Sequence, residues 1–206
     1  FAQTTPSFKD VPANSTIFSA VEYLKARGIM QGYQDGTFKA DNKVVRAEAV
    51  KLIVASIATA EELQQYTTTG YTDVAADAWY LPYVEYASKK AGIIDGPPKA
   101  TAFKGGDPVL KAQFFKMFFL ANNIDAKGMY SEIKLPLSMD VVDSNAWYYP
   151  FMRYGIASSM TMVGEDGKLS PDRELTRGDI AMLLYRYYMY VDGRRTQALL
   201  SEAESE

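Results

Sequence analysis

The feature that most constrains this chain is that its sequence runs through the same pattern three times. "FKDVPANSTIFSAVEYL" begins at Phe8, "YTDVAADAWYLPYVEYA" at Tyr71 and "SMDVVDSNAWYYPFMRYG" at Ser138. The Asp-Val pairs start at Asp10, Asp73 and Asp140, so the spacings are 63 and 67 residues. A second signal follows each start. "VVRAEAVKLI", "VLKAQFFKMF" and "LTRGDIAMLL" carry Arg46, Lys111 and Arg177, spaced 65 and 66 apart. Between the two signals lie Gly32, Gly96 and Gly164. Three signals recurring in one order at one period define a repeat architecture.

Each unit reads as helix–loop–helix. The first helix holds Val21-Glu22-Tyr23, Val84-Glu85-Tyr86 and Met152-Arg153-Tyr154 at matching places. Pro82 and Pro150 belong in its first turn, where a missing N–H costs nothing. Gly28 and Gly92 are expected to end it. The loops "GYQDGTF" (32–38) and "GEDGKLSPD" (164–172) carry turn chemistry, with short strand pairs expected there. The second helix has an apolar stripe at i, i+3, i+4: Ala49, Leu52 and Ile53, then Phe114, Met117 and Phe118, then Ile180, Leu183 and Leu184. One helix pair cannot bury such a stripe alone. The units are therefore expected to pack into a single pseudo-threefold body with the second helices at its centre. The expected boundaries are a segment 1–7, repeats 8–66, 67–130 and 131–192, and an acidic tail or linker 193–206.

Composition narrows the functions open to this body. The 206 residues are 48% hydrophobic, enough for a real core. A net charge of −3 argues against nucleic acid as the main partner. With no His and no Cys, the commonest general base, thiol nucleophiles, disulfides and His/Cys zinc sites are excluded. "DGTFKAD" and "EDGKLSPD" lack the length and acid spacing of a calcium loop, so no metal is expected. No stretch reaches the roughly 20 apolar residues of a membrane span. The start "FAQTTPS" reads as a mature end left by signal-peptide removal or as an artificial boundary.

The tandem set resembles S-layer homology (SLH) repeats over about residues 8–191. The motifs that carry the likeness are the "FKDV", "YTDV" and "SMDV" starts, Trp79 and Trp147, the mid-unit glycines, and "VRAE", "LKAQ" and "TRGD" as counterparts of the family's TRAE element. The resemblance implies a mainly α fold, a three-pronged spindle around a central helical bundle. It implies a module that anchors a surface protein to the cell wall, secreted and extracellular. A glycosidase would need two carboxylates flanking a cleft, and since no distinctive acid pair stands out, no catalysis and no cofactor are expected. The implied ligand is an acidic, pyruvylated secondary cell-wall polysaccharide bound in grooves between repeats, with other S-layer protein domains as further partners. The alternative is a structural or protein-binding assembly module that binds no glycan.

Departures from the pattern make the three grooves unequal. The first unit has Thr16 where the others have tryptophan, and Val45 where the motif has Thr. The second reads Leu110-Lys111-Ala112-Gln113, losing both the cap hydroxyl and the acid. The third has Gly178-Asp179 in place of Ala-Glu.

The recurring cation is the sharpest local puzzle. Thr176 and Asp179 form a capping box, so Arg177 stands at the first helical position, as do Arg46 and Lys111. A cation there opposes the helix dipole at a cost of about 0.3–1 kcal/mol. Two readings are open. In one, the cation pairs with a nearby acid such as Glu48 or Asp179, at a gain of about 0–1 kcal/mol. In the other, the cation and free N–H groups at the helix start hold an anionic sugar, with Arg46 and Arg177 better suited than Lys111 because only arginine grips a carboxylate with two parallel hydrogen bonds. Trp79 and Trp147 either stack on sugar rings or pack between helices. Asp10, Asp73 and Asp140 either touch ligand or hold the loop before the first helix. Gly32, Gly96 and Gly164 either take positive φ in a turn or admit a close-approaching sugar. The Tyr-rich run at 185–190 is expected to pack.

Overall fold

The computed structural model describes residues 5–205, with side chains through Arg194. The segment before Thr5 and the side chains of the acidic tail lie outside the described residues. Helices dominate, and among the described residues strands occur only as isolated bridges, so the expected strand pairs do not form.

In the first unit, α1 (Phe18–Ala26) and α2 (Arg46–Val54) are followed by a single turn, α3 (Ala60–Leu63), capped reciprocally by Thr59 and Glu62. In the second, α4 (Leu81–Glu85) runs into one π-helical turn (Tyr86–Lys90) before α5 (Lys111–Ala121). In the third, α6 (Tyr149–Ala157) precedes α7 (Arg177–Ser205), which carries straight through the predicted tail. Pro82 and Pro150 sit in the first turns of α4 and α6. Gly28 and Gly92 end their helices at φ +69° and +63°, and Ser159 takes that place in the third unit at φ +56°.

The units close into a ring. The Val44 N–H donates to the Leu175 carbonyl at 3.0 Å, the Leu175 N–H to Val109 at 3.0 Å, and the Val109 N–H to Val44 at 2.9 Å. These residues occupy one position in the three repeats, so the bonds relate each unit cyclically to the next. A single hydrophobic cluster runs through all three units, with Ala49, Ile53, Phe114, Phe118, Ile180 and Leu184 from the second helices within it. The Tyr-rich run packs as expected: Tyr185 lies edge-on to Tyr23 at 5.3 Å and Tyr187 edge-on to Phe118 at 5.0 Å.

Candidate functional site

The site begins at the repeated aspartates. Asp10 accepts the Phe38 and Lys39 N–H groups, both at 2.8 Å. Asp73 accepts those of Phe103 and Lys104, both at 2.7 Å, and Asp140 those of Leu169 and Ser170 at 2.9 and 2.8 Å. The loop they hold is the one before the second helix, about thirty residues downstream, not the one before the first. Lys39, Lys104 and Ser170 are held at φ +57°, +57° and +53°, a region non-glycine residues seldom adopt. Burial pushes all three carboxyls up, but the backbone donors outweigh it and hold them below the usual value.

The residue just before each of Lys39, Lys104 and Ser170 receives the neighbouring unit's cation on its carbonyl. Arg177 Nε donates to the Phe38 carbonyl at 2.8 Å, Arg46 Nε to Phe103 at 3.1 Å and Lys111 Nζ to Leu169 at 2.6 Å. Neither expected acid partner is used. Glu48 instead accepts the Val45 N–H at 3.1 Å and Gln113 that of Leu110 at 3.1 Å. Asp179 accepts that of Thr176 and pairs with Arg173 at 3.0 Å. Of the three second helices, only α7 has its capping box completed by a hydroxyl, Thr176 taking the Asp179 N–H at 3.1 Å.

The helix-start N–H groups correct part of the anion reading. Arg46 and Ala47 donate theirs to Asp107 and Gly105, Lys111 and Ala112 to Arg173 and Pro171, and Arg177 and Gly178 to Asn42 and Ala40. The ring closure occupies the first two N–H groups of each second helix, which leaves the side chains as the principal groups to meet an anion.

Three clefts lie at the joints. The first, about 470 Å³, joins Arg177 of unit three, Gly32, Tyr33, Glu48 and Lys51 of unit one, and Trp79 of unit two. The second, about 300 Å³, joins Arg46, then Asp95, Gln113 and Lys116 of unit two, and Trp147 of unit three. Trp79 is 54% exposed and Trp147 52%, so both indoles are cleft walls more than core. Lys51 Nζ stands 5.6 Å from the Trp79 ring centre. Beyond its Nε bond, Arg46 makes no further hydrogen bond among the described residues, so its terminal nitrogens are unclaimed. Arg177 uses one terminal nitrogen on the Gln31 carbonyl at 2.6 Å. Burial draws Arg46 below its ordinary value. The third cleft, about 360 Å³, holds Lys111, Gly164 and Asp179, and no aromatic ring.

The mid-unit glycines take no positive φ. A Cβ at Gly32 would enter the Phe8 ring, one at Gly96 would overlap the Ser88 hydroxyl, and one at Gly164 would crowd Asp166. Close packing requires them. Gly32 and Gly164 line the first and third clefts, while Asp95, not Gly96, lines the second. Sequence reasoning missed Lys51 and Lys116, although each lies one helical turn past Glu48 or Gln113 on the same face. Among the described residues no cluster of acidic side chains is arranged to hold a metal, and no helix is long and apolar enough to cross a membrane.

These features define a cyclic three-repeat helical module. The S-layer homology domain family model matches residues 7–50 and 70–115, so these two segments are S-layer homology domains. The third unit falls outside the matched residues, and its equivalence rests on the position-for-position ring bonds. The chain is 27% identical over 84% of its length to the Surface-layer 125 kDa protein of Lysinibacillus sphaericus, spanning 14% of that protein. It is 25% identical over 86% of its length to the S-layer protein EA1 of Bacillus anthracis, spanning 20% of it. It is also 36% identical over 45% of its length to Endo-1,4-beta-xylanase A of Thermoanaerobacterium saccharolyticum, spanning 8% of that enzyme. The chain thus covers a small part of each relative, and the family with these names indicates a cell-surface location.

Proposed function

We propose that the chain anchors a surface protein by binding an acidic, pyruvylated secondary wall polysaccharide in the first and second clefts. The observation that carries this reading is the pairing, in both clefts, of a half-exposed indole with a guanidinium from another unit. An indole face suits a sugar ring, and terminal guanidinium nitrogens suit a ketal carboxylate. Trp79, Trp147, Arg46 and Arg177 are the binding residues in this reading. Asp10, Asp73 and Asp140 act one step back, by holding the loops the cations grip. The module is not catalytic here: a stretch shared by surface-layer proteins and a small fraction of a xylanase fits a carried anchor.

A second reading, docking of another surface-layer domain, draws on the exposed Leu135, Met139, Val142 and Met162 of unit three. Sedimentation with purified wall sacculi separates the two. Loss of co-sedimentation after the acidic polymer is stripped supports glycan anchoring, and persistence supports docking. Calorimetry with a synthetic pyruvylated sugar then reads the clefts: Trp79→Ala and Trp147→Ala each remove one site, and unchanged binding in both overturns the assignment.

A further inference from the structure

The third cleft has diverged in a consistent direction. Its cation is Lys111 where the others have arginine, and Thr16 occupies the position that supplies an indole elsewhere. Its charged lining is Lys111, Lys168, Arg173, Arg186, Asp166 and Asp179. Asp179 is neutralised by Arg173 at 3.0 Å and by its capping role. Asp166 accepts the Lys168 backbone N–H in the turn at 3.1 Å. The Lys168 ammonium and the half-buried Arg186 guanidinium have no carboxylate partner among the described residues. Lys111 is nine-tenths buried, and its one hydrogen bond among the described residues goes to the Leu169 carbonyl. An ammonium has three donors, so two remain for an occupant.

We infer that the third cleft is a site for a phosphate-type oxyanion, not for the saccharide face taken by the other two. Point-charge ammonium groups with one free guanidinium match a compact tetrahedral anion, and without a ring there is no platform for a pyranose. The surplus of positive charge is felt inside the cleft: burial first, then repulsion from Arg173 and Arg186, brings Lys111 down to about 8, although Asp140 and Asp179 oppose this. The inference extends the reading of the first two clefts, yet it fails separately from it.

The test is a ¹H–¹⁵N titration of the chain with inorganic phosphate and with a glycerol-phosphate oligomer, against sodium chloride at equal ionic strength. Shifts confined to Gly164, Gly167, Lys168 and Ser170 are expected. Arg186→Gln and Lys168→Ala should each weaken binding about tenfold, the effect of one lost charge-assisted hydrogen bond. Lys111→Met should abolish it, and the Arg186→Gln and Lys168→Ala variants, neither at a buried position, keep the test valid where Lys111→Met does not fold. Trp79→Ala, which disables the first saccharide cleft, should leave it unchanged. Tighter binding of the oligomer identifies a polymer phosphodiester as the source, and tighter binding of the free ion identifies phosphate itself. Shifts no larger than those with chloride, or shifts centred on Gly32 and Arg177, overturn the inference.

Discussion

Arg177 Nε donates to the Phe38 carbonyl at 2.8 Å, so the third unit grips the first through the Phe38–Lys39 peptide, whose N–H Asp10 already holds. The same relay runs from Arg46 to Phe103 and Asp73, and from Lys111 to Leu169 and Asp140. A hydrogen bond from a charged donor contributes about 1.5–3 kcal/mol, more than the roughly 0.3–1 kcal/mol that a cation costs at a helix start. The cation is kept at an unfavourable helix position because it welds two units.

Arg177→Ala is therefore expected to cost about 1.5–2 kcal/mol in urea unfolding, the lower part of that range because the guanidinium is half-exposed. Arg177→Lys should recover most of the stability while losing the two-pronged carboxylate grip, so its glycan affinity falls further than its stability. Parallel recovery of both would show that stability alone accounts for the arginine.

The three aspartates make stability sensitive to acid. Their folded values lie below the usual 3.8, so their contribution is complete above that pH and is lost as pH falls through the folded values. Asp73→Asn keeps one acceptor of two. It should lower stability at pH 7 and flatten the acid limb of a stability–pH curve below about pH 4.

Lys104→Gly should stabilise the fold by about 1 kcal/mol, because φ +57° strains any residue with a Cβ while glycine adopts it freely. Lys104 makes no side-chain hydrogen bond or ion pair among the described residues, so the change removes only its charge attraction to Asp73. A thermal midpoint that stays level or falls would show that the strain is not released.

Lys111 adds an alkaline limb of the same sign as the aspartates' acid limb. Its folded value of about 8 lies below the ordinary 10.5, so between these the unfolded chain binds more protons and stability rises with pH. Lys111→Met should abolish that rise in urea unfolding measured from pH 7.5 to 10.5. A variant that retains the slope would assign it to another group.

Much of the fold was legible in the residues. The repeats, the prolines in first turns, the glycine stops and the apolar stripes each depend on neighbours within a few residues, so local pattern reports them. Ser159 was not legible, because a serine gives no sign that it will take the left-handed stop that Gly28 and Gly92 announce. The site was legible only as a set of positions. Arg46, Arg177, Trp79 and Trp147 stood out by period, but their partners lie far along the chain: Phe38 is 139 residues from Arg177, and Phe103 is 57 from Arg46.

What the residues alone determined is a triplicated helix–loop–helix with a cation at each second helix start, since helix caps and burial stripes are short-range matters. What only the tertiary structure decided is where each cation points, that the helix-start N–H groups are taken by the next unit's loop, and that the glycines stand against Phe8, Ser88 and Asp166. Those outcomes follow from ring closure, which brings together groups whose sequence separation carries no periodic signal.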